Sequence, residues 1–323
     1  MGDTAMVPMD VQLQPAWLTW VSATTTCLKA LGTDCDTVDV AGMTGYAFVL
    51  SVHKELCPSG PTVFDWCSLL AGVQLLGRTT LNFTSGDCHT AELACDRTRA
   101  HCRVAFDLVA REIEAGRPCV VWGAYVPEFA VAIGVDNDCY HVKSFRQFTG
   151  EPEPPIPYDG LNAPGGPYAL GFPTTIDMPQ ERADEAAIVR AAQILNQPRH
   201  LRDYGYGPTA YDTWIAALEA NVANPFGNAY NAACWTEGRH FAHQFLGRLA
   251  GRNPRLAGPL GEAAGAYGDA ASAMDRVAAL FPFPHGGNIG NADVRAEAIE
   301  ALKRAKAAEM RAAKSVAAAA AAL

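Results

Sequence analysis

Seven prolines fall between Glu151 and Pro173, with several glycines among them. No helix or central strand tolerates that density, because each proline removes a backbone donor and fixes φ. The stretch therefore divides the chain. Short strand-like and helix-like segments alternate before it, and helical periodicity takes over after Asp184. This pattern predicts an α/β domain of the α+β type over 1–150, a linker or surface loop over 151–174, and an all-α domain over 175–323.

Pro15 to Leu31 has the spacing of a first helix, with Trp17, Trp20, Val21, Thr24, Leu28 and Leu31 on one face. Pro15 suits its first turn and Gly32 its C′ position. Residues 38–50 read as a glycine-punctuated turn entering an apolar segment. A helix is expected from Phe64 to Leu76, a short strand within 75–83, and a helix from about Cys88 to Ala115 capped by Ser85. Pro118–Gly123 and Phe129–Val135 read as strands. A turn at Asp136–Asp138 leads to a third strand at Cys139–Lys143, which completes a meander. In the C-terminal half, helices are expected over 184–196, 209–220, 228–250, 260–280 and from Ala292 onward. The alanine run 317–322 has nothing obvious to pack on and should fray.

Of the 323 residues, 49% are hydrophobic and 18% charged, a core-forming rather than a disordered composition. The net charge of −9 argues against nucleic acid as a partner, since phosphate binding needs clustered Lys and Arg. Lys303, Arg304, Lys306, Arg311 and Lys314 alternate with Ala and Glu and read as a solvated helix face. Asp10, Gln12 and Gln14 interrupt the early apolar run, so neither a signal peptide nor a membrane span is expected. A cytoplasmic protein without a membrane partner follows. The ten cysteines read as free, mostly buried thiols.

Four pieces of sequence carry a resemblance: Cys27–Gly32 at the end of the first helix, Ala41–Phe48, Ile113–Trp122 and Pro127–Asp136. In this order they resemble the papain-like superfamily of bacteriocin leader peptidases and the N-terminal domain of butirosin biosynthesis protein H, an acyltransferase relative, over roughly residues 15–145. The resemblance implies a nucleophilic Cys at the start of the first helix, a His opening a strand, and an Asp or Asn on the next strand. Such a triad works because a helix N-terminus favours the thiolate, the His takes the proton and the third group orients the His.

Carried over residue by residue, the nucleophile position falls at Thr19 or Trp20, the base at Glu128 or Phe129, and the orienting acid among His141, Lys143 and Ser144. All three roles lack the expected residue. Cys27 lies late in the helix, where the dipole disfavours a thiolate, and is expected to be buried.

Two patterns raise the question of a metal. Cys88, Cys95 and Cys102, with His89 and His101 beside them, recur every seven residues. Seven residues of helix span about 10.5 Å, too far for one tetrahedral ion. Glu237 and His240, with His243 a turn on, have the spacing of di-iron bundles but no second copy. No metal and no cofactor are expected. The aromatic stretch Tyr204–Trp214, with Tyr206 within it, reads as a pocket lining or as a wedge between the two halves.

These observations predict a catalytically degenerate cysteine-peptidase-like protein. It would bind a small molecule, a peptide or a carrier-linked acyl group in the former cleft, through Thr19, Trp20, Glu128, Tyr204 and Tyr206. Two alternatives stand beside it. One is an active thiol-dependent acyltransferase or amide hydrolase using Cys27 with Glu128 and His141. The other is a structural or partner-binding protein.

Overall fold

A computed structural model describes residues 4–64, 66–84, 96–196 and 203–323. In chain order the elements are β1 (Ala5–Met6), α1 (Thr19–Ala30), α2 (Thr37–Thr44), β2 (Ser51–His53), α3 (Cys67–Val73), β3 (Leu81–Thr84), α4 (Asp96–Glu114), β4 (Cys119–Trp122), β5 (Phe129–Asp136), β6 (Cys139–Lys143), α5 (Arg146–Thr149), β7 (Ile156–Pro157), β8 (Tyr168–Gly171), α6 (Gln180–Asn196), β9 (Tyr204–Tyr206), α7 (Pro208–Glu219), α8 (Pro225–Arg252), α9 (Ala257–Leu280) and α10 (Ala292–Ala321). The chain is mixed α/β, with an antiparallel sheet and a helical C-terminal region. It forms two compact units, Met1–Val40 with Leu76–Met178, and Ala41–Leu75 with Pro179–Leu323.

The first unit is built on one sheet in the order β3-β8-β4-β5-β6-β7, with β1 paired to β5. Every pairing is antiparallel. Helices α1 and α4 pack on this sheet, and all four residues of β4 are buried, as expected of a central strand covered on both faces. The Cys-Val-Val-Trp sequence of β4 is apolar throughout for that reason. The register Cys119↔Ala132 to Trp122↔Phe129 brings the end of β4 and the head of β5 to one edge. The start of α1 meets the same edge through Thr19.

The stretch 151–174, expected as a linker or surface loop, belongs to the first unit and contributes two strands to its sheet. Ile156–Pro157 pairs with β6 at the sheet edge, and Tyr168–Gly171 lies between β3 and β4. Proline is tolerated in the first because an edge strand leaves one row of N–H groups without a ladder partner. The prolines flank the second rather than enter it.

The second unit also departs from expectation. Residues 41–75 pack with the C-terminal helices rather than with the sheet. A Cβ at Gly42 would overlap the Phe245 ring of α8, and one at Gly45 would meet Ile194 and Arg190 of α6. Trp235 Nε1 donates to Ser51 O at 3.0 Å. The region after 175 is not purely helical either, since Tyr-Gly-Tyr at 204–206 forms β9 and pairs with β2.

Helices α8, α9 and α10 make the core of this unit through alanine-rich faces, among them Ala263, Ala270 and Ala271 of α9 and Ala301, Ala305 and Ala312 of α10. Asn224 and Asn291 cap α8 and α10 by accepting first-turn N–H groups. The C-terminal alanine run is not frayed, because Val316 and Ala319 are fully buried. Among the described residues, no helix is long and apolar enough to cross a membrane.

Candidate functional site

Helix α1 begins at Thr19, four residues later than its leading proline implies, with Leu18 as N-cap. Leucine offers no cap acceptor, and the first turn holds no acidic side chain. The carboxylate beside this turn comes instead from Glu128, the residue before β5. Thr19 Oγ1 donates to Glu128 Oε2 at 2.6 Å and accepts from Phe129 N at 3.2 Å. One hydroxyl thus ties the head of β5 to the start of α1. A carboxylate at that end of a helix is also favoured by the macrodipole.

Trp20 is fully buried, and its indole N–H donates to Tyr168 OH at 3.1 Å. The structure places its side chain inside the unit rather than at the surface. Phe129 packs against Trp122 at 4.6 Å and Tyr168 at 5.6 Å between ring centroids, and Trp122 Nε1 donates to Pro164 O at 3.0 Å. These rings form an aromatic cluster at the head of β5. Thr19 and Glu128 themselves are half-buried, and Trp17, two residues before Thr19, is 44% exposed.

The other expected participants lie elsewhere. Cys27 is fully buried two turns along α1, and burial pushes its thiol far above the ordinary range. The structure thus places this thiol inside the unit and away from the start of α1, where the resemblance expects a nucleophile. His141 pairs with Gly134 across the sheet, five residues along β5 from its head, roughly 16 Å at a rise of ~3.3 Å per residue. Its Nε2 lies 3.1 Å from Asp136 Oδ1, an ion-pair contact without hydrogen-bond geometry. His141 is therefore no partner for Glu128.

Ser144 follows Lys143, which pairs with Val131, so it lies near the head of β5. It is buried, and both its N–H and its hydroxyl donate to Glu153 Oε1, at 2.6 and 2.8 Å. The strand Cys139–Lys143 carries no Asp or Asn, and the carboxylate bound to Ser144 comes from the loop after it. In the sequence Glu153 carries no such signal, because the proline density of 151–174 reads as a linker or surface loop.

Tyr204 and Tyr206 belong to the second unit. Tyr204 OH lies 2.7 Å from Ser59 Oγ, and Tyr206 OH donates to Val63 O at 2.9 Å. Both hydroxyls hold the 59–63 loop.

Among the described residues, no group of three or more His, Cys, Asp or Glu converges on a metal-sized site. Cys88, His89 and Cys95 lie outside the described residues. His240 Nε2 lies 2.9 Å from Asp275 Oδ1, and His243 Nδ1 lies 2.8 Å from Ala264 O, so each serves a contact between α8 and α9. No protein-family model matches the chain, and no curated protein matches it in sequence.

Proposed function

We propose that the chain is a papain-like domain without its peptidase chemistry, fused to a helical region, and that Glu128 holds the amine of a small molecule or peptide at the former cleft. The observation that carries this reading is the 2.6 Å bond between Thr19 and Glu128. It joins the two positions where the resemblance puts a thiol and an imidazole. A threonine hydroxyl bound to a carboxylate is a poor nucleophile, because the carboxylate is far too weak a base to deprotonate it. The same pair is a good cation site. A carboxylate offers about four lone-pair positions, so an ammonium group can join Thr19 on it.

A charge-assisted hydrogen bond contributes about 1.5–3 kcal/mol, or roughly 10- to 100-fold in affinity. The test is an NMR titration of the full chain with a linear polyamine, an amino sugar and a tripeptide bearing a free amino terminus. At least one should shift the amides of Thr19 and Phe129, and Glu128→Gln should weaken it at least tenfold. Equal binding by wild type and Glu128→Gln, or no shift with any of the three, would refute the proposal.

A further inference from the structure

Tyr125 lies three residues before Glu128, in the loop joining β4 to β5, with φ at +67°. A side chain rarely adopts that left-handed backbone, and its cost of about 1–3 kcal/mol persists only where the surroundings impose it. The loop is closed by short main-chain bonds: Val126 N to Ala124 O at 2.9 Å, Glu128 N to Val126 O at 2.7 Å, and Gly123 N to Glu128 O at 2.9 Å. The bend at Tyr125 therefore decides where the Glu128 side chain starts.

The side chain of Tyr125 is held from outside the loop. Its phenol donates to Pro154 O at 2.8 Å, and the Arg146 guanidinium stacks 3.9 Å from its ring centre. Arg146 Nη1 in turn donates to Pro152 O at 2.9 Å, and its Nε lies 3.5 Å from Glu151. Between the two prolines, Glu153 is fastened to Ser144 at the end of β6. Residues 152–154 thus form a fixed strap, and Tyr125 is moored to it by one hydrogen bond and one stacked cation. Burial pushes the phenol up to about 12, so it remains a donor at neutral pH.

We infer that Tyr125 is a positioning residue: its mooring to Arg146 and the 152–154 strap holds the left-handed bend that turns Glu128 onto Thr19. The functional part of this inference rests on the proposed role of Glu128. Glycine would make the same bend without strain, so what tyrosine adds is the mooring.

Three variants of the full chain test it. Tyr125→Phe removes the phenol bond, Arg146→Met removes the cation, and Tyr125→Gly removes the mooring while relieving the strain. The readout is hydrogen exchange at the Phe129 amide, which donates to Thr19 Oγ1, relative to the mid-strand amides of Val121 and Ala132. In all three, Phe129 should exchange at least tenfold faster while the mid-strand amides keep wild-type rates. A Phe129 rate unchanged in Tyr125→Gly overturns the inference, as does equal acceleration of all three amides, which would mark a purely structural role. Selective acceleration at Phe129 with undiminished amine affinity would uphold the mooring and sink the amine-binding role of Glu128.

Discussion

Replacing Glu309 with alanine should loosen the helical unit severely. Arg239 of α8 and Glu309 of α10 form an ion pair with side-chain exposures of 0% and 2%. The pairing is bidentate, at 3.0 and 2.8 Å. Tyr211 of α7 donates to Glu309 Oε2 at 2.6 Å, Tyr267 of α9 reaches Oε1 at 3.5 Å, and Arg239 Nη1 donates to Val49 O at 2.8 Å. Burial is the largest single effect on Arg239 and lowers its pKa, but the Glu309 charge, Tyr211, Tyr267 and the hydrogen bond to Glu309 together raise it by more, so the guanidinium stays charged. Without Glu309 that charge is left buried with little compensation, at a cost of about 3–5 kcal/mol. The Tyr211 hydroxyl loses its acceptor as well. A loss near 4 kcal/mol corresponds to roughly a thousandfold faster exchange wherever exchange requires this unit to open. Hydrogen exchange followed by mass spectrometry on peptides of α8 and α10 measures it directly. Arg239→Met combined with Glu309→Leu should be milder than Glu309→Ala alone, because apolar residues of similar volume bury no charge. Less than a fivefold change in Glu309→Ala, or a double variant worse than the single, would refute the reasoning.

Three further outcomes are expected. Alkylation with iodoacetamide at pH 8.5 should reach Cys57 and Cys139, the half-buried thiols among the described free cysteines, before Cys27, Cys35 and Cys119. Burial raises all three of the latter, and at about 12 the Cys35 thiol is ionised to only roughly one part in three thousand at that pH; peptide mapping that finds Cys27 labelled first would contradict this. Gly123→Ala should cost about 2–3 kcal/mol by urea denaturation, since φ is +89° and the added Cβ would stand 2.5 Å from the Asn162 carbonyl; a neutral effect would be inconsistent with this packing. Tyr125 has a raised folded-state pKa, so its contribution is whole below the ordinary value of 10 and is lost as pH rises through about 12. The tyrosinate absorbance difference between wild type and Tyr125→Phe should therefore rise late, near 12, and a midpoint at 10 would show that the phenol is not held.

How far the residues alone foretold this arrangement depended on periodicity. The strands Cys119–Trp122, Phe129–Asp136 and Cys139–Lys143 were legible because apolar runs bounded by Gly116, Gly123 and Asp136–Asp138 leave few alternatives. The long C-terminal helices were legible for the same reason. The pairing of Thr19 with Glu128 was also within reach, since the resemblance named both positions. What misled was composition read as architecture. Proline density reads 151–174 as a linker or surface loop, yet Tyr168–Gly171 fits between two strands and Glu153 serves Ser144. Segment 41–75 falls inside the α/β domain expected over 1–150, whereas its glycines at 42 and 45 are shaped for side chains of α8 and α6. Tyr125 left no mark in the sequence, because a left-handed tyrosine is imposed by tertiary contacts rather than by propensity.

The most direct test rebuilds what the chain is proposed to have lost. Thr19→Cys combined with Glu128→His would set a thiol at the start of α1 within reach of an imidazole, in place of a bond that measures 2.6 Å between Thr19 and Glu128. A helix N-terminus and an adjacent imidazolium both lower a thiol pKa, whereas the carboxylate in Thr19→Cys alone would raise it. The rate of alkylation at position 19 is the measurement, taken at pH 6.5 in the double and single variants. The account predicts that the double variant reacts at least tenfold faster than the single variant and ahead of Cys57 and Cys139. Equal rates in the two variants, or a thiol at 19 slower than those two cysteines, would contradict the claim that these positions occupy a peptidase-like catalytic geometry.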